Sequence, residues 1–138
     1  MSVVMEMTKA YLDSQGMHYR ERSDAPVLQI GIGGLKNAGQ MEVIVVFDDN
    51  DRTVSLRSFN LCQVPEEKKA AMYAACNAVN RQYRWVKFYI DEKDSTVTAQ
   101  DDAVLQADSA GQEIFELIIR MSNIVDEAYP ALMKANWA

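Results

Sequence analysis

Residues 84–91, Arg-Trp-Val-Lys-Phe-Tyr-Ile-Asp, alternate without a break. Period-two alternation predicts a strand, because successive side chains leave opposite faces. Val86, Phe88 and Ile90 share one face; Trp85 and Tyr89 flank Lys87 on the other. A strand with one wet face should not carry two aromatics there, so that second face is expected to meet something. The same alternation recurs upstream. Leu28, Ile30 and Ile32 alternate with Gln29 and Gly31. Met41, Val43, Val45 and Phe47 line one side of the next strand, with Ile44 and Val46 on the other. Asp48-Asp49-Asn50-Asp51 forms a tight turn, since Asn and Asp hydrogen-bond locally and tolerate its geometry. Residues 53–59 return as the hairpin partner. Residues 17–22 give a short strand, 33–40 a glycine-rich loop, and 96–100 a strand that follows a turn at 92–95.

Helical spacing marks three other segments. Ser2 caps a helix that reaches Gln15, and Gly16 stops it. Pro65 opens a second helix, where its missing N–H is not needed, and Glu66 and Glu67 complement the helix dipole. Met72, Cys76, Val79 and Tyr83 form its buried stripe. In the last helix Ser109 and Gln112 have capping-box spacing. Ile114, Ile118, Met121, Val125, Ala128 and Leu132 follow at four-three steps, and Pro130 is expected to kink or end the helix near Tyr129. The order is α-β-β-β(-β)-α-β-β-α. Hairpin-linked strands with helices between them give an α+β domain, a twisted antiparallel sheet of five to six strands with three helices, spanning 1–138 as one unit.

A net charge of -6 with no basic stripe argues against nucleic acid and anionic membrane surfaces. No segment reaches membrane-span length, and residues 1–12 lack the apolar run of a signal peptide. Cys62 and Cys76 are not in CxxC spacing, and Cys76 reads as a buried reduced thiol. A cytoplasmic protein is expected.

Little here reads as chemistry. Gly31, Gly33 and Gly34 are not in GxGxxG order and lead into a strand, where phosphate binding needs helix N–H groups. The acidic turn lacks the central glycine and twelfth-position glutamate of a calcium loop; Phe59 stands there. His18 is the only histidine and has no companion ligands. Asp101 and Asp102 point apart as chain neighbours and make a poor acid–base pair. No catalytic residue, cofactor or metal is therefore expected. Asn77 and Asn80, one turn apart, are read as structural polar groups, with Asn80 tying the second helix to nearby backbone. Most methionines read as core filler, although Met5, Met7, Met121 and Met133 on the terminal helices could form a flexible binding surface. The apolar surplus of Ile44, Val46, Trp85 and Tyr89 is the expected partner or homodimer surface, unless a terminal helix folds across it. The function expected is a non-enzymatic protein-binding module, chaperone-like or a regulatory adaptor. The alternative is a small-molecule sensor or enzyme with a pocket between sheet and helices near Asn80, Trp85 and Tyr89.

Several short motifs stand in a set order: Val64-Pro65-Glu66-Glu67-Lys68, Asn77-x-x-Asn80, Trp85-x-Lys87-Phe88-x-Ile90-Asp91 and Asp126-Glu127-Ala128-Tyr129-Pro130. With this order and spacing the chain resembles the YbjN family of small bacterial proteins, labelled sensory-transduction regulators. The resemblance implies a fold similar to type III secretion chaperones, commonly dimeric. It brings no catalytic residues, and a fold analogy does not prove a chaperone function.

Overall fold

Alternating segments and short turns place six strands in one antiparallel sheet, in a computed structural model that describes residues 2–137. The strands are β1 (Arg20–Glu21), β2 (Val27–Leu35), β3 (Gly39–Phe47), β4 (Thr53–Ser58), β5 (Lys87–Asp91) and β6 (Thr96–Val104); the helices are α1 (Val3–Ser14), α2 (Lys69–Gln82) and α3 (Ala110–Trp137). The spatial order is β1-β2-β3-β4-β6-β5. The hairpin of β5 and β6 therefore inserts with β6 against β4 and leaves β5 at the edge.

Alternation decides which face is dry. Leu28, Ile30, Val43, Val45, Leu56 and Phe88 point to one side and are buried there. Leu12, Met72, Ile114, Ile118, Met121 and Leu132 from the three helices join them in one core. α3 lies centrally, with α1 and α2 both packed on it. Gly111 permits the α1 contact: a Cβ there would lie 2.9 Å from the Met7 carbonyl oxygen and from Tyr11 Cβ. Among the described residues no helix lies on the opposite face of the sheet.

Local chemistry fixes the ends. Ser2 Oγ accepts the Met5 N–H (3.0 Å) and donates to Asp51 Oδ1 (2.7 Å), so the acidic turn serves as part of the α1 cap. Gly16 closes α1 at φ 70°. Glu113, not Gln112, completes the start of α3: its carboxylate accepts from the Gln106 N–H and Ser109 Oγ, each at 2.9 Å. Gly33 and Gly34 belong to β2, not to a loop; a bulge between Ile32 and Leu35 absorbs them, with Gly34 at φ 70°.

Two further sequence expectations need correction. Trp85 is not on the sheet. β5 begins at Lys87 because Val86 N–H donates back to the Arg84 carbonyl (2.8 Å) and Trp85 adopts φ 67°. That left-handed residue breaks the alternation, and the indole lies 4.7 Å from the Arg120 guanidinium on α3. Pro130 does not end the last helix, which runs on to Trp137.

Candidate binding surface

The uninterrupted helix has a specific cause. Proline at 130 has no N–H to give the carbonyl four residues back, that of Asp126. Asn37, at the tip of the β2–β3 hairpin, supplies the donor: its Nδ2 reaches the Asp126 carbonyl oxygen at 2.9 Å. The Asp126 carboxylate in turn accepts the Asn37 and Ala38 N–H groups, both at 2.8 Å. The Ala38 N–H foremost, then that of Asn37, holds this carboxyl below its usual range. Three hydrogen bonds thus latch the hairpin tip to α3.

Beside the latch lies a cavity of about 460 Å³, lined by Asn37, Tyr129, Pro130, Met133, Lys134 and Trp137. Its wall is mostly apolar, and Trp137 is 78% exposed. A second cavity of about 410 Å³ opens on the other side of Tyr129, where β4 parts from β3. Phe59, half exposed, stands at that second opening. Tyr129 is the shared wall. A tryptophan in the last turn, off the buried stripe, was the one sequence signal of this surface; Tyr129 and Pro130 were visible only as part of a motif.

The residues singled out from the sequence are scattered. Ile44 and Val46 are on the open sheet face, but Ile44 is buried and Val46 half-buried. Tyr89 shares that face and its hydroxyl donates to Gln100 Oε1 at 2.8 Å. Trp85 is on the helix side of the β5 edge. Asn80 exchanges two hydrogen bonds with Phe88 of β5: its Nδ2 donates to the carbonyl (3.0 Å) and its Oδ1 accepts the N–H (2.8 Å). Both ends of the amide are occupied, and the outward backbone of an edge strand is satisfied. Lys87 Nζ donates to the Asn80 and Tyr83 carbonyls, each at 2.8 Å, and so closes the C-terminus of α2. Asn77 is exposed on the outer side of α2, off its buried stripe, so it is not a structural polar group. Asp101 and Asp102 leave opposite faces of β6, Asp101 buried and Asp102 exposed. Burial, then the neighbouring Asp102 charge, raises the Asp101 carboxyl to about 6. Cys76 is buried in the helix layer and its thiol is pushed up to about 11, chiefly by burial. His18 is exposed. Among the described residues no helix is long and apolar enough to cross a membrane.

The motif residues therefore act as joints. Lys87 and Asn80 fix α2 to the sheet edge, Asp126 and Pro130 fix the hairpin to α3, and buried Val64 anchors the entry to α2. A search of curated proteins returns no match. Among solved structures the chain is similar to the crystal structure of YbjN, "a putative transcription regulator from E. coli", at a TM-score of 0.64 and 16% identity, covering 96% of this chain and 93% of that one. At that identity the likeness speaks for the fold. The sequence profile of the YbjN family, described as "Putative bacterial sensory transduction regulator", matches residues 6–132, nearly the whole chain, and the chain belongs to that family.

Proposed function

We propose that this protein is a non-enzymatic, cytoplasmic adaptor that holds a segment of a partner protein against the C-terminal half of α3. The observation that carries this reading is the apolar groove of Tyr129, Pro130, Met133 and Trp137 beside a hairpin latched in place. An exposed tryptophan on a rigid helix is the kind of anchor that dominates protein interfaces. The family's regulatory description fits a protein that works by binding. A catalytic reading finds less support. Asn80 is saturated by strand backbone, and Asp101 and Asp102 do not converge.

The test is affinity capture from native cytoplasm with the parent and with Trp137→Glu, followed by mass spectrometry. Trp137 is mostly exposed, so the variant should fold. The expected result is a protein recovered reproducibly by the parent and at least tenfold depleted with the variant. Recovery unchanged by Trp137→Glu, or no reproducible protein at all, overturns the reading.

A further inference from the structure

We infer that the cavity where β4 parts from β3 is a recognition site for an organic cation, a guanidinium or primary ammonium group. The site arises from backbone geometry. β3 and β4 pair from Phe47↔Val54 to Ile44↔Arg57, and Asp48 N–H donates to the Thr53 carbonyl beyond. Hydrogen-bonded pairs in an antiparallel ladder alternate, so the next would join Glu42 to Phe59. It does not form, because Asn60 takes φ 52° and turns the chain toward β6, where Leu61 N–H donates to the Val97 carbonyl (2.8 Å). The backbone N–H and carbonyl of Glu42 are left facing the gap.

The lining selects the ligand. Its only formally charged residue is Glu42, which has no ion-pair partner among the described residues. Arg57, the nearest cation on β4, shares the Glu42 face by register but is not in the cavity lining, and it donates its Nε to Ser55 Oγ at 3.2 Å. Ser58 also lines the cavity and is 1% exposed. Glu42, Ser58 and Asn60 bring acceptor oxygens to the lining, with the Glu42 carbonyl facing the gap, while Phe59 and Tyr129 bring aromatic rings. A guanidinium or ammonium offers donors only and favours aromatic faces. An anion would find no Lys, Arg or His in the wall. The floor has been left empty: Gly31 is the cross-strand neighbour of Glu42, and a Cβ on Gly31 or Gly33 would meet nothing within 4 Å. Glycine there leaves space, and a side chain would fill it.

Agmatine, a blocked tripeptide with central arginine, and glutarate as anionic control are titrated into isotopically labelled protein by NMR. Expected are saturable amide shifts centred on Gly31, Glu42, Phe59 and Asn60 with a cation and none with glutarate. Glu42→Gln should weaken binding at least tenfold and Gly31→Val should abolish it. Gly31 has ordinary strand backbone, so valine there is tolerated. Glu67→Gln, an exposed charge elsewhere, should change nothing. Tighter binding of agmatine assigns the site to a free amine; tighter binding of the tripeptide assigns it to a basic side chain. Shifts scattered over the acidic surface, or binding that survives both Glu42→Gln and Gly31→Val, overturn the inference. The titration uses no protein partner, so it stands or falls independently of the Trp137 test.

Discussion

A carboxyl group buried on the dry face of a sheet works against the fold whenever it is charged. Asp101 is 5% exposed, faces the helix layer beside Leu56, and its Oδ2 has no hydrogen-bond partner among the described residues. Its folded value of about 6 lies above the usual carboxylate range. The neutral form is thus favoured by folding. No penalty exists below about pH 4; it accumulates as pH rises toward 6 and is constant above. Asp101→Asn removes the titration. The stability difference, variant minus parent, should rise from pH 4 to pH 7 by on the order of 1–2 kcal/mol, read from denaturant melts at each pH. Subtracting the parent cancels the opposite slope of Asp126, Asp51 and Glu92, whose lowered values contribute stability that is lost as pH falls through them. A flat difference sinks the account. Asn80 makes the converse case, a half-buried polar group that is fully used. Asn80→Ala should cost about 1–3 kcal/mol, because the Phe88 N–H and carbonyl lose their partner. If the variant melts like the parent, the tie to β5 carries no weight.

At the scale of elements, alternation and helical stripes made the order of strands and helices legible, since each element buries one face. The junctions were less so. That an amide on a helix stripe must find backbone could be read from the sequence; that the backbone belongs to Phe88 could not. Trp85 sits in a segment whose alternation is unbroken on paper, and nothing local announces a left-handed residue there. The parting of β4 from β3 depends likewise on one residue, Asn60, and with it the whole cavity. Pro130 shows the limit most plainly. Helix rules say that proline costs a hydrogen bond, but the replacement donor is Asn37, 89 positions from Asp126 in the chain. The arrangement predicts a coupling. Asn37→Ala should cost about 1 kcal/mol in the parent, because the Asp126 carbonyl loses its donor. In a Pro130→Ala background the helix N–H returns to that carbonyl, and the same substitution should cost much less. Denaturant melts of the four proteins measure this, and additive effects would show that Asn37 does not substitute for the missing helix bond.

At the scale of the molecule, all three helices occupy one face of a six-stranded sheet, and none crosses the other. Val46 is half-buried and Tyr89 38% exposed on that open face, near buried Ile44 and Val27. Around them stand Arg57 and Lys87 beside Glu42 and Asp102, on the same face by register. A patch with an apolar centre and both signs of charge at its rim can complement itself across a two-fold axis, Arg57 of one copy facing an acid of the other. Homodimerisation through this face is therefore predicted, with Trp85 removed from the contact. Sedimentation equilibrium at micromolar concentration should give twice the chain mass of 15.6 kDa. Val46→Glu places a charge at the centre of the patch and should return the protein to one chain, whereas Trp85→Glu should leave the dimer intact. A parent sedimenting near 15.6 kDa excludes the dimer. A dimer that survives Val46→Glu but separates with Trp137→Glu would move the contact to α3, and the groove there would then be filled by a second copy of the chain.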